Sequence, residues 1–412
     1  MIYTKPISDI SWNDVEAFCQ QEIGEGAYLD YKEDFPTQLE KTISAMANTF
    51  GGMVLIGIEE NEDRKPILPI KGILFQRGLS EKVTSIILSN ITPPVFPEIQ
   101  ICKNEVGDKA VIVIRIPQSH ETPHAISSNT RVYLRTGDIN KPEELATISQ
   151  IDWLTSNRQK SVSLRETLYQ QAEKRYQAFY TRVMNELTSR GNSVQATNTG
   201  LLTLSACPTY PHKEYRTPAS LSKIFEKISV RDYFGTSRVF PPADSINGTI
   251  VQNGIVFLSH VDSGRRVFYT EIDSQGLYFY RQPVRRELIN QGGVQREILN
   301  GGEIVARIDE FLNATRKFYF EIGYWGYLDI KIALTEIQEY GLSLGWLNST
   351  FFDSPIGFCP DNEVVYRNTI LVSNSDTEKE RLLFEGAQKL FWAFGLNLLQ
   401  DYLEVFYKKL KS

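Results

Sequence analysis

Cysteine and histidine are scarce, with four of each in 412 residues. Cys19, Cys102, Cys207 and Cys359 lie far apart, with no C-x-x-C pair. That spacing argues against both a disulfide framework and a cysteine-ligated zinc site. No apolar run is long enough to span a bilayer, and residues Met1 to Pro6 lack the apolar core of a signal peptide. A cytoplasmic protein is expected. Basic excess is missing as well: the formal net charge is −6, whereas a generic nucleic-acid binder has a basic footprint. The deficit is local. Residues 1–150 hold 14 Lys and Arg against 21 Asp and Glu, and the remainder holds 30 against 29. No internal repeat or low-complexity segment is present, and Gly51-Gly52 is followed by no G-K-[ST], so it is not a Walker motif.

The patterning that is present predicts an α+β protein of more than one domain. Ser11 is a plausible cap for a short helix carrying Val15, Phe18 and Cys19. Tyr28 to Lys32 alternates like a half-buried strand. Leu39, Ile43, Met46, Ala47 and Phe50 recur at helical spacing, and Gly51-Gly52 ends that helix. Met53 to Ile58 is a continuous apolar run of strand length. A helix is expected from Ser80 to Ile91, then strands at Ile99–Cys102, Ala110–Ile116 and Arg131–Arg135. A long helix free of proline and glycine follows from Ser163 to Arg190, and Gly191 to Thr199 reads as a loop. Beyond Leu201 come aromatic-rich strands at Gly254–Leu258, Arg266–Tyr269 and Gly276–Tyr280, with helices near Gly302–Leu312 and Asp376–Leu410. The expected domains are 1–152, a helical linker 153–200, and a C-terminal α+β sensing or assembly domain 201–412.

Four segments stand out. They are Glu25-Gly26-Ala27-Tyr28-Leu29-Asp30-Tyr31-Lys32; Thr42 to Gly52, with Ser44-Ala45-Met46-Ala47-Asn48-Thr49 inside it; Val54 to Glu60; and Thr122-Pro123-His124 followed by Arg131 to Asp138. In this order and at these distances they resemble the Schlafen-type AlbA domain, with its E-x4-E-F-K, S-A-F-A-N-T-x-G-G, L-I-G-V-D-D, P-H and Y-x-R-x-G-S pieces. The resemblance covers about the N-terminal third.

Nuclease-active members of that family use three carboxylates, which fall here on Glu25, Asp30 and Glu60. Asp30 stands where the family has Glu, and Glu60 where it has Asp, so charge is kept and reach changes by one methylene. The resemblance implies a metal-dependent endoribonuclease acting on structured RNA such as tRNA, with antiphage defence as a setting and Mg²⁺ or Mn²⁺ held by these three acids. Lys32, which shares strand parity with Asp30, would stabilise charge on the phosphate. Arg131 and Arg135 would contact nucleic acid. Gly26 would let Glu25 turn back toward the site. Two other classes stay open: a non-catalytic DNA- or RNA-binding regulator, and a nucleotide-binding domain. The bland alternative is that three acids among 50 are solvated surface.

Asn48, Thr49 and His124 read as structural turn or core residues rather than ligands. In the C-terminal part Tyr319, Tyr324, Trp325 and Tyr327 read as core rather than a stacking platform, and Arg265-Arg266 and Arg285-Arg286 as solvated pairs. The long helix reads as a connecting arm or a dimerising helix, and the apolar face of the last helix (Leu383, Leu390, Phe391, Phe394, Leu398) as a packed closing helix or the seam of a homo-oligomer.

Overall fold

The computed structural model describes residues 2, 5–136, 142–189, 200–211, 214–231, 239–245, 248–261, 266–291, 294–343, 356–372, 376–397 and 401. The expected loop 191–199, together with Gly137, Asp138, Arg265 and Leu398, lies outside them. The architecture is α+β, and the chain divides into two compact units, Met1–Ser163 with Trp325–Tyr327, and Leu164–Tyr324 with Leu328–Ser412. Among the described residues no helix is long and apolar enough to cross a membrane. All four cysteines are buried and free.

In the first unit, helix α1 (Trp12–Cys19) starts at a reciprocal cap. Ser11 accepts from the Asp14 N–H while the Asp14 carboxylate accepts from Ser11. Strand β1 (Leu29–Lys32) pairs in parallel with β2 (Gly52–Ile56), and α2 (Leu39–Asn48) connects them. Strand β2 is buried at all five residues, because both of its faces are covered. Met53 and Leu55 pack with Val15 and Phe18 of α1 on one side. Val54 and Ile56 pack on the other with Ile43 of α2 and with Val83 and Ile87 of α3 (Leu79–Asn90). This accounts for the unbroken apolar run. Strands β3 (Glu98–Lys103) and β4 (Lys109–Ile116) complete the sheet, and the short strand Ile73–Leu74 pairs antiparallel with the start of β4. A second, smaller sheet contains β5 (Arg131–Arg135) between Ala125–Ile126 and Glu143–Leu145.

Gly51 marks a tight reversal between α2 and β2. Its φ is 71°, and a Cβ added there would lie only 2.6 Å from the Ile116 carbonyl oxygen. No other residue type fits.

Helix α4 (Ile148–Ser189) has 42 residues and begins 15 residues before the expected start. Residues 148–162 lack breakers but carry little apolar periodicity, so pattern alone does not reveal them.

The second unit is built on a seven-stranded sheet. Its order is Thr249–Val251, β7 (Gly254–Val261), β8 (Arg266–Asp273), β9 (Tyr278–Pro283), β6 (Leu201–Pro208), β10 (Tyr327–Thr335) and β11 (Glu363–Leu371). One face carries Leu202, Leu204, Tyr280, Ile330 and Ile332 into a core with α5 (Pro218–Ile228) and α6 (Gly301–Ile322). Tyr319 and Tyr324 belong to that packing, with ring centroids 5.6 Å apart. Helix α6 runs ten residues past its expected end and stops at Gly323, which is left-handed. Helix α7 (Asp376–Ala393) closes near Gly395, also left-handed.

Candidate functional site

Parallel pairing sets Asp30 beside Val54 and Lys32 beside Ile56. The Lys32 carbonyl then accepts from the N–H groups of Gly57 and Ile58, so the exit of β2 is fastened to the end of β1. The turn that follows is held by Asn61, whose side chain accepts from the Asp63 and Lys65 N–H groups. Arg64, in the left-handed region at φ 59°, accepts at its carbonyl from the Glu25 N–H at 3.0 Å. Backbone bonding thus brings residues 25, 30, 32, 60 and 64 to one place.

Their side chains form a chain of ion pairs. Arg64 Nη1 lies 3.1 Å from Glu60 Oε1 and 3.2 Å from Glu25 Oε2. Lys32 Nζ lies 3.8 Å from Glu25 Oε1 and 2.6 Å from Asp30 Oδ2. Asp30 Oδ1 accepts from Arg135 Nη2 at 2.6 Å, and Arg135 Nη1 lies 3.1 Å from Glu143, which Lys41 meets at 3.3 Å. Reading along it, Glu60, Arg64, Glu25, Lys32, Asp30, Arg135, Glu143 and Lys41 alternate in sign, and the formal charges cancel. The carboxylates are mostly the inner members. Side-chain exposure is 4% for Glu25, 1% for Asp30 and 12% for Glu143, against 33% for Lys32, 35% for Arg64 and 30% for Lys41; Glu60 at 27% and Arg135 at 0% depart from this order.

Glu25 holds its proton above the usual carboxylate range, first because it is desolvated and then because Asp30 repels its charge. The Tyr31 N–H, bonded to Glu25 Oε1 at 2.7 Å, and Lys32 act in the opposite direction.

The three predicted acids and Lys32 therefore converge. Arg135 does converge with them, but in a different capacity from the expected one. Its side chain has no exposure and also donates to the Gly26 and Leu29 carbonyls, so it cannot meet a phosphate as folded. It is a buried counter-ion. Arg131, on the same strand, is exposed. Gly26 is not in the left-handed region, and a Cβ there would meet nothing within 4 Å. Glu25 reaches back because the Gly26 N–H bonds to the Leu29 carbonyl, a closed loop rather than glycine freedom. Sequence reasoning missed Arg64, Glu143 and Lys41. The available signal for Arg64 was its i,i+4 spacing from Glu60 in a polar turn.

Asn48 is a clamp. Its side-chain amide donates to the carbonyls of His124 and Tyr133 and accepts from the His124 N–H at 2.7 Å. His124 is buried, Nδ1 meets the Pro93 carbonyl at 2.7 Å, and burial lowers its pKa. Thr49 bonds back to the Ala45 carbonyl. All three serve structure.

A family model described as Schlafen, AlbA_2 matches residues 25–144, the span that contains every member of the ion-pair chain. The N-terminal third of this protein is a Schlafen AlbA_2 domain. No curated protein matches the chain. A solution NMR structure of the N-terminal domain of a RecG-related protein from Nitrosomonas europaea is 18% identical, covering 34% of this chain and 82% of that one, with a TM-score of 0.22.

The AlbA_2 domain supplies donors of the right chemistry for a hard divalent ion, three carboxylates, and Glu60 Oε2 is buried without a hydrogen-bond partner. The arrangement does not fit one. Lys32 stands between Asp30 and Glu25, and Arg64 between Glu25 and Glu60. Among the described residues no three Asp, Glu, His or Cys side chains are grouped so as to hold a metal ion. As they stand, these residues hold each other.

Proposed function

We propose that the AlbA_2 domain engages the phosphate backbone of nucleic acid, structured RNA such as tRNA above all, at the outer side of the ion-pair chain. The observation that carries this is the layering of charge. Lys32, Arg64 and Lys41 are exposed by about a third, and Glu25 and Asp30 lie beneath them. An approaching phosphate meets ammonium and guanidinium groups, while the buried carboxylates fix those groups in position. Arg131 adds an exposed cation on β5. Phosphate contacts of this kind position nucleic acid without reading sequence.

A second reading keeps the same face and adds phosphodiester cleavage, the metal-dependent endoribonuclease activity that the family resemblance implies. One observation favours it: Glu25, Asp30 and Glu60 converge, so that an ion would be shared once Lys32 and Arg64 swing out from between them.

One experiment separates them. Full-length protein is titrated with tRNA over a series of salt concentrations, and the same samples are incubated with Mn²⁺ or with EDTA. Binding in EDTA with no product, a salt slope lowered by about 1 in Lys32→Ala, and unchanged RNA in Mn²⁺ support binding alone. Product in Mn²⁺ that is lost in Glu60→Gln supports cleavage. Absence of binding in every condition removes both.

A further inference from the structure

The second unit holds a cavity of ≈ 500 Å³ between α4, from Leu164 onward, and one face of the seven-stranded sheet. That is the size range of small-molecule sites. Its floor is set by strand register. Thr203 lies opposite Arg281 on one neighbour and Ala333 on the other, and Ser205 lies opposite Phe279 and Lys331. Because side chains alternate along a strand, these residues share the face opposite the one that carries Leu202, Leu204 and Ile332 into the core. A face covered by a helix would ordinarily be apolar. This one is polar at its centre.

Four of its polar atoms are buried and have no hydrogen-bond partner: Thr203 Oγ1, Ser205 Oγ, Thr335 Oγ1 and Arg281 Nε. Ser205 is fully buried, and Thr203 and Arg281 are 6% and 5% exposed. Buried polar atoms are almost always paired, so four lining one cavity mark a place where the partner comes from outside the chain. Arg281 is held on two sides. Its Nη1 pairs with Glu173, and its guanidinium lies 4.7 Å from the Tyr176 ring centroid. Its Nε–H is the donor left over. Lys331 is half-buried and has no ion-pair partner among the described residues, while Glu336 and Glu363 are exposed at the rim. An Nε–H and an ammonium donate only, and hydroxyls donate readily. The complementary occupant is rich in acceptor oxygens.

We propose that this cavity binds a small oxyanion-bearing molecule, a phosphate or carboxylate compound of nucleotide size or below, through Arg281, Lys331, Thr203 and Ser205. The proposal is independent of any activity of the AlbA_2 domain.

The test is isothermal titration calorimetry of the full chain with three probes: inorganic phosphate, AMP and citrate. Binding by at least one is expected with a Kd below about 1 mM, and which of them binds distinguishes phosphate from carboxylate. Lys331→Gln, a half-exposed change that leaves the core intact, should weaken that binding by about tenfold or more. Thr203→Val should weaken binding while raising the ligand-free Tm, since a methyl replaces an unpaired hydroxyl. No heat from any probe at about 10 mM, or equal affinity in wild type and both variants, overturns the proposal.

Discussion

The molecule contains two buried polar clusters that solve the same problem in opposite ways. In the AlbA_2 domain, charged groups are paired with one another in sequence, from Glu60 through Arg64, Glu25, Lys32 and Asp30 to Arg135 and beyond. In the second unit, Thr203, Ser205, Thr335 and Arg281 present polar atoms that nothing in the chain satisfies. Desolvating a charge is expensive, so buried ions persist only with partners. Desolvating a hydroxyl is cheaper, and a cavity beside it admits water or ligand. The first cluster is therefore closed by its own chemistry, and what it offers outward is the exposed half of its cations. The second is open. A closed network resists change and an open one invites an occupant, and single substitutions should tell them apart.

The largest effect is expected where the closed network is broken at its most buried pair. Asp30→Ala removes the closer of the two carboxylates that meet Arg135, whose side chain has no exposure, and leaves it only Glu143 at 3.1 Å. Breaking such a pair costs about 3–5 kcal/mol, read as a loss of stability in urea unfolding followed in the AlbA_2 domain. Asp30→Leu combined with Arg135→Met should recover most of that loss, because both charges leave together. A cost below about 1 kcal/mol for Asp30→Ala, the range of an exposed pair, would erase the contrast with the second unit.

The opposite sign is expected next. Thr203→Val removes a buried hydroxyl that no group of the chain satisfies and keeps the shape, so the ligand-free protein gains up to roughly 1 kcal/mol, less what a cavity water bonded to that hydroxyl contributes. For a unit of this size that is about 2–4 °C in Tm, measurable by differential scanning calorimetry. A fall in Tm of the same size would mean that the hydroxyl is satisfied, and would move this cluster into the class of the first.

Much of the AlbA_2 fold was legible because its signals are local. The Ser11 cap, the apolar run at Met53–Ile58 and the stop at Gly51-Gly52 each follow from short-range rules, and all three take part in the observed elements. The convergence of Glu25, Asp30 and Glu60 was legible only through the family resemblance, since parity within β1 says nothing about what a neighbouring strand brings. Of the cations that hold them, Lys32 was legible from its parity with Asp30, while Arg64 and the buried pairing of Arg135 were not. Arg64 arrives through a left-handed turn and Arg135 through a separate sheet, and long-range pairing of this kind leaves no periodic trace. Arg131 and Arg135 share parity yet differ wholly in exposure, because alternation gives a face and not its depth. The polar face under α4 was hidden for a related reason. Thr203 and Ser205 alternate with leucines as on any half-solvated strand, and only the helix above makes them buried.

A smaller effect tests whether the closed network is tuned rather than merely neutral. Glu25 has its pKa raised above 4.5 in the fold, chiefly by desolvation and then by Asp30. The folded state then binds the proton more tightly than the unfolded chain does. Stability should fall as pH rises from about 4.5 to the raised value and level off beyond it. Glu25→Gln has no such proton, so the wild-type stability minus that of the variant should decline across that window. Urea unfolding at a series of pH values measures it. A difference that grows with pH would mean that Lys32 and Arg64 outweigh desolvation, and that Glu25 is an ordinary ion-paired acid.

The smallest structural effect, and the sharpest functional one, belongs to Arg131. Its exposure on β5 places it outside the ion-pair chain, so Arg131→Ala should change stability by no more than about 0.5 kcal/mol. If Arg131 touches phosphate, tRNA binding should weaken and the slope of log affinity against log salt should drop by about 1. Arg135→Ala provides the contrast, because it breaks the buried pair with Asp30 and should lose the fold before it loses a phosphate contact. Two arginines four residues apart on one strand would then divide cleanly, one acting on the nucleic acid and the other on the protein. Equal salt slopes for wild type and Arg131→Ala would confine phosphate contact to Lys32, Arg64 and Lys41, the cations that the buried acids already hold.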